Sequence, residues 1–382
     1  MVRAVAWRSV WHGLLIANLD SAAMEGLRMP VVWSPRHRGH VPEGGYWLGV
    51  RETGDEEPER GDLLRDGLAA SGATIVEPPD LGLAPIEAVH DHDFVDFMRR
   101  AYPAWVAEGH LAEPGQPHVV GYLFANAGFA ARHRRDRRPA TIRAELGLYA
   151  MDTMSLLSEG TFDAACSAVH GAVHAAHLVA ANGRAAYAAV RPPGHHAGPA
   201  YFGGSCYFNN AAAAAQRLRE LGFGRVAIVD LDAHQGNGTQ EIFWDRDDVL
   251  YTSVHVDPAD GWFPHLVGYA DERGGGAGER WTHNEPIPAG SGDEPWLGAV
   301  DRLLRTVEAH GSDAVVVSLG VDAAVNDPAA PLMVTNEGFR SAGERLAQLD
   351  RPTVFVQEGG YDLERLVPLT LEVLQAFESS TT

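Results

Sequence analysis

The sequence predicts an α/β protein, a mostly parallel sheet wrapped by helices. Three observations predict it. Apolar strand-like runs alternate along the chain with stretches of helical pattern. Polar segments follow four of those runs, as loops do at the carboxyl ends of parallel strands. The chain has 382 residues and 45% hydrophobic content, enough for a sizeable core. It carries no internal repeat and no linker long enough to separate two domains.

Taken in order, "MPVVWS" (29–34) is the first strand-like run, and a helical pattern over 161–182 leads to "RAAYAAV" (184–190). A second helical stretch, 209–221, leads to "RVAIVDLD" (225–232), whose run of apolar residues reads as a strand covered on both faces. "VLYTSVHV" (249–256) follows. Helical patterns over 295–310 and 336–349 then precede "DAVVVSLGVD" (313–322) and "PTVFVQEGG" (352–360). The polar segments are "PPGHH", "DAHQGNG", "DAAVNDP" and "EGGY", after the second, third, fifth and sixth runs.

These four segments hold the parts of one site. Asp230, Asp232 and His234 alternate, so in an extended chain all three point to one side. Asp232, His234 and Asp322 offer two carboxylates and one imidazole, which leaves a coordination position open as a catalytic zinc requires. Such a metal acidifies water and polarises a carbonyl. His195 and His196 supply acid–base capacity near neutral pH, and Tyr361 can donate a hydrogen bond to a developing oxyanion. Alone, a DxDxH segment is more often a turn than a ligand set. Four such elements at strand ends point to metal-assisted amide hydrolysis.

Composition excludes other classes. The net charge of −21 argues against a nucleic-acid surface and is compatible with a cationic substrate. All 30 basic residues are arginine, so neither a Schiff-base lysine nor a P-loop lysine exists. Cys166 and Cys206 do not make a disulfide scaffold. No stretch approaches the ~18–20 apolar residues of a membrane span, and the expected location is the cytoplasm. Residues 1–28 read as an extension, with Met24 and Met29 as alternative starts. His170, His174 and His177 share a helix face at metal-like spacing but read as ordinary helix residues. "RHRRDRR" (132–138) and "DEEPER" (55–60) read as solvated charge runs.

Together, "RPPGHHA", "GGSCYFNNAA", "VDLDAHQGNGTQEIF", "SVHVDPADGWFP", "SLGVDAAVNDP" and "VQEGGYD" resemble the zinc-dependent histone deacetylase superfamily. Within it they are most similar to bacterial class II-like deacetylases and acetylpolyamine amidohydrolases. The resemblance covers residues 29–382 as one catalytic domain. It implies a three-layer arginase–deacetylase fold with about eight strands. It also implies a zinc at Asp232, His234 and Asp322. In it His196 is the general base and acid and His195 its electrostatic neighbour, with Asp230 and Asn237 orienting them and Tyr361 polarising the carbonyl. A structural potassium is implied near Asp230, Asp232, His234, Ser253 and Val254. Arg60 matches an arginine near an internal channel, and Asp152 aligns with a rim aspartate that grips substrate. The segment 101–147 resembles an insertion that shapes the mouth and a homodimer contact.

Three positions depart from the pattern. Ser205 follows Gly204 where an aromatic usually walls the tunnel, with Phe263 on the opposite wall. Ala329 stands where Leu, Met or a polyamine-reading Glu is found, and Gln235 stands where His is common. The expected mouth is therefore wider than a lysine tunnel, with weak activity expected on acetyl-lysine and better activity on a bulkier, small-molecule N-acylated amine. Two other readings compete. An arginase-like ureohydrolase needs a further Asp two residues past the histidine, and position 236 is Gly. A catalytically inactive metal-binding or sensor protein is opposed by retention of all three ligands, both histidines and Tyr361.

Overall fold

The computed structural model describes residues 26–125 and 138–381. Its strands are β1 (Val31–Val32), β2 (Gly45–Trp47), β3 (Val50–Glu52), β4 (Ile75–Val76) and β5 (Ala185–Ala188), followed by β6 (Val226–Asp230), β7 (Val249–Val256), β8 (Thr282–Ile287), β9 (Ala314–Leu319) and β10 (Thr353–Gln357). Eight of them form one sheet in the order β4-β1-β5-β10-β9-β6-β7-β8. Every neighbouring pair in it is parallel. β2 and β3 make a separate antiparallel hairpin.

The two-residue period of the strands divides their side chains between two cores. Ala227, Val229, Val315, Val317 and Phe355 face one of them. Helices Asp293–His310, Asn336–Ala347 and Leu363–Ser380 close that core through Trp296, Phe339 and Leu369. Val226, Ile228, Val316, Val354 and Val356 face the other. Helices His92–Ala107, Thr161–Asn182 and Asn210–Glu220 close it through Phe97, Val169 and Leu218. Three layers result, as the alternation of runs predicts.

The run 249–256 is reproduced as β7, but the other expected strands are longer than the observed ones. The runs 225–232, 313–322 and 352–360 yield β6, β9 and β10, because their polar last residues leave the sheet and become site loops. β4 and β8 are edge strands that the sequence does not announce. β4 has two residues, and β8, "THNEPI", breaks apolar alternation with His283, Glu285 and Pro286. Helix Thr161–Asn182 is long and apolar enough to cross a membrane by composition, yet 72% of its most apolar window is buried inside the protein. It ends at Gly183, whose φ of 69° is the left-handed cap position glycine favours. His170 on this helix contacts the Gly82 carbonyl at 2.8 Å, and His177 accepts from Arg217 Nε at 2.6 Å. Neither belongs to a metal-type cluster among the described residues.

Two expectations about charge and boundary are corrected. "DEEPER" is not wholly solvated: Glu56 and Arg60 are buried. Glu56 carries a bidentate pair to Arg191 (2.6 and 2.9 Å) and a contact to Arg60 Nη1 at 3.0 Å, which supplies the charge compensation that burial demands. The folded part also begins before residue 29, since Leu27 is buried in the first core and its N–H donates to Ser71 O at 3.0 Å. Residues 1–25 of the expected extension, and 132–137 of the arginine-rich run, lie outside the described residues. Arg138, the last of that run, pairs with Asp96 at 3.1 Å and Glu145 at 3.2 Å. Both cysteines are free and buried.

Candidate active site

β5, β10, β9 and β6 are consecutive in the sheet. The four polar segments follow these four strands, so parallel topology alone gathers them at one end. The β6 segment does not continue as an extended strand. Asp232 N–H donates to Asp230 Oδ1 at 3.2 Å, and His234 N–H donates to Asp232 Oδ1 at 2.9 Å. The alternate spacing thus builds two successive aspartate turns, each carboxylate capping the amide two residues on. The chain then enters the short helix Asn237–Phe243.

Donor atoms of Asp232, His234 and Asp322 all lie within 4.8 Å of one another. His234 Nδ1 is 3.1 Å from Asp232 Oδ1 and 3.0 Å from Asp322 Oδ2. The remaining oxygen of each aspartate is fixed by backbone: Asp232 Oδ2 accepts from Gly359 N at 2.8 Å and Asp322 Oδ1 from Ala233 N at 2.9 Å. A side chain at Gly320 or Gly359 would collide with these carboxylates, so both positions must be bare. Burial and then the Asp232 charge push the Asp322 carboxyl up to about 7. Burial pulls His234 down, but hydrogen bonds to Asp232 and Asp322 overcome it and hold the imidazole near 10. Two buried carboxylates and an imidazole this close call for positive charge at their centre, and the donor set fits a divalent metal.

The two adjacent histidines are driven apart in basicity. His195 Nδ1 is 3.1 Å from Asp230 Oδ2. Burial lowers His195, but Asp232 and Asp230 outweigh it and hold it near 10. His196 Nδ1 is 2.7 Å from the neutral Asn237 Oδ1. Burial, then the charges of His195 and His234, hold His196 well below the usual histidine value. One imidazole stays charged and its neighbour stays free to take a proton.

Tyr361 is kept protonated by burial, with Asp232 and Asp322 adding to the effect and Arg60 opposing it. The Arg60 guanidinium lies over the Tyr361 ring at 4.6 Å and donates to Gly360 O (2.8 Å) and Glu358 O (2.7 Å). Three carboxylates missing from the sequence reading hold this machinery. Glu358 accepts from Gly194 N at 2.7 Å and His195 N at 3.2 Å, fixing the tandem-histidine backbone. Asp327 accepts from Tyr361 N at 2.9 Å and Ala329 N at 2.9 Å, joining two loops. Glu56 anchors Arg60 and Arg191 as described above. Their sequence signal is their place inside segments already singled out, "EGGY", "DAAVNDP" and "DEEPER".

At the expected potassium position, Asp230 and Ser253 are register partners on β6 and β7, with Val254 next along β7. Ser253 Oγ lies 2.8 Å from His255 Nδ1. Around the mouth, the Phe263 ring stands edge-on to His196, centroids 4.8 Å apart at 88°. Gly204 (φ 56°) and Ser205 (φ 62°) form the two central positions of a tight turn closed by Gly203 and Cys206. Asp152 does not stand free on the rim. Its Oδ1 accepts from Met154 N and Ser155 N at 2.9 and 2.8 Å, and its Oδ2 from Gly204 N at 2.6 Å. Its carboxylate thereby braces the Gly204–Ser205 wall. The described part of the 101–147 insertion packs beside the β2–β3 hairpin, with Gln116 Nε2 donating to Tyr46 Oη at 2.8 Å.

Comparison with known proteins agrees with this fold. Residues 55–377 match the histone deacetylase domain family. Acetylpolyamine amidohydrolase 1 of Pseudomonas aeruginosa is 38% identical over 351 residues, covering 91% of this chain and 99% of the relative. Acetylpolyamine amidohydrolase of Mycoplana ramosa is 36% identical over 339 residues, covering 88% and 96%. The crystal structure of acetylpolyamine aminohydrolase from Burkholderia pseudomallei superposes with a TM-score of 0.86 at 36% identity, covering 92% of this chain and 99% of that one. The chain belongs to the histone deacetylase family, as a deacetylase acting on acetylated amines.

Proposed function

We propose that this deacetylase works with one zinc ion held by Asp232, His234 and Asp322, and that its substrate is a small N-acylated amine. The convergence of those three donors beside the neutral His196 carries the reading. A zinc bound there supplies Lewis acidity toward the acyl carbonyl and toward water. His196 accepts a proton from water as its oxygen adds to the carbonyl carbon, and returns it to the amine nitrogen as the C–N bond breaks. The products are a carboxylate and a free amine. His195, held charged by Asp230, stabilises negative charge nearby. Tyr361 donates its hydroxyl hydrogen to the carbonyl oxygen as charge develops there. A structural potassium beside Asp230, Asp232, His234, Ser253 and Val254 would balance the buried acidic turn.

The substrate class rests on the mouth. Ser205 and Ala329 put little volume where a tight acyl-lysine tunnel needs walls, and no acid stands at 329 to read a distant ammonium. A bulkier acylated amine than acetyl-lysine suits this opening. The relatives' names, acetylpolyamine amidohydrolases, point to small amines as well. The test combines metal content with turnover of an acyl-amine panel read by mass spectrometry. Asp322→Ala should lose both metal and activity, and full retention of either would overturn the ligand assignment. Stoichiometric zinc in the parent with no turnover across the panel would instead favour a binding role.

A further inference from the structure

Asn237 has a problem that its partner at His195 lacks. Asp230 offers two equivalent oxygens, but an amide offers one oxygen and one NH₂ of nearly equal size. With Oδ1 toward His196 Nδ1, as found at 2.7 Å, the ring carries its proton on Nδ1 and leaves Nε2 as an acceptor. Rotated by half a turn, the amide would present NH₂ to Nδ1, place the ring proton on Nε2, and disable the base.

The outer side of the amide decides the orientation. Asn237 Nδ2 lies 3.1 Å from Tyr201 Oη and 3.3 Å from the carbonyl of His196, with Met151 Sδ farther off at 3.8 Å. The carbonyl can only accept. The Tyr201 hydroxyl has acceptors for its own hydrogen, the Asn237 carbonyl at 3.4 Å and the neighbouring Glu241 carboxylate, which leaves a lone pair facing Nδ2. A short turn places the phenol there: Gly198 N donates to Tyr201 O at 3.0 Å, and the ring folds back over Gly198, where any side chain would collide with it.

We propose that Tyr201 is a positioning residue that locks the Asn237 amide with its oxygen on His196, and thereby fixes the histidine tautomer the reaction needs. This rests on the assignment of His196 as base. Residues that orient an imidazole from the second layer typically matter by 10–100-fold.

The experiment is a double-mutant cycle on the zinc-loaded enzyme, with kcat and KM read separately. Tyr201→Phe, which keeps the ring over Gly198, should lower kcat about tenfold with KM unchanged. In an Asn237→Asp background both side-chain oxygens can accept from His196, so there is no orientation to lose and the same substitution should change kcat less than twofold. Equal losses in the two backgrounds, or no loss in the parent, would overturn the proposal. Independently of turnover, nitrogen-15 shifts of the His196 ring should report the Nδ1–H tautomer in the parent and a mixture in Tyr201→Phe. An unmixed tautomer in the variant also overturns it. Failure of the underlying assignment reads differently, as a His196→Ala enzyme that retains activity.

Discussion

At the scale of single residues, the donor that matters most in the proposed transition state is Tyr361. Its hydrogen bond strengthens only as the carbonyl oxygen gains charge, so Tyr361→Phe should lower kcat ~10²–10³-fold with little change in KM. Steady-state kinetics checks this, and an unchanged kcat would remove Tyr361 from the mechanism. A pH response follows from His90. Its Nδ1 faces Gly198 O and its Nε2 accepts from Asn209 N, each at 2.8 Å, so the folded protein needs the neutral ring. Burial pulls it down to about 4. Between pH 6.5 and 4 the unfolded chain binds the proton and the folded chain does not, so stability falls as the medium is acidified through that window. His90 alone contributes about 3 kcal/mol to the fall. Denaturant melts at pH 7 and pH 4.5 should show it, and His90→Gln should flatten part of the slope; a parallel slope in the variant would assign the effect elsewhere. The proposed ligating and acid–base residues are legible because their chemistry is written in motif spacing. Glu56, Glu358 and Asp327 are not, because their role is to accept from amides and guanidiniums that only the tertiary fold brings near.

At the scale of elements, the legible part was the long, doubly buried strand followed by a polar turn. β6 and β9 read clearly because every residue is buried. β4, with two residues, carries too little pattern to be read, and β1, equally short, is legible only as part of the longer run 29–34. Asp152 is recognised by motif position, but only the fold shows its carboxylate accepting from Gly204 N and bracing the Gly204–Ser205 turn. That turn also bounds what can be engineered at the mouth. Ser205 sits at φ 62°, where any side chain beyond glycine bears strain of roughly 1–2 kcal/mol. The serine already bears it, so Ser205→Phe adds wall without adding much backbone strain. Turnover of an acetyl-lysine peptide, weak in the parent, should rise in this variant. Efficient parent turnover that Ser205→Phe leaves untouched would refute the wide-mouth reading.

At the scale of the molecule, apolar side chains gather outside the cores on the hairpin and the neighbouring insertion. Leu48 is 87% exposed, Val50 61% and Tyr122 68%. Such a grouping suits a partner surface, and a homodimer is the expected assembly. Light scattering at micromolar concentration should give twice the chain mass, and a monomer would count against it. The order of strands has a further consequence, for synthesis. β10 is the last strand made, yet it lies between β5 and β9, and the residues just after it include Gly359, which ties down Asp232, and Tyr361. A ribosome-bound chain short of residue 353 therefore has a gap at the centre of its sheet and an unfinished cradle for the proposed zinc. A chain stopped at residue 350 should neither unfold cooperatively nor retain the proposed zinc.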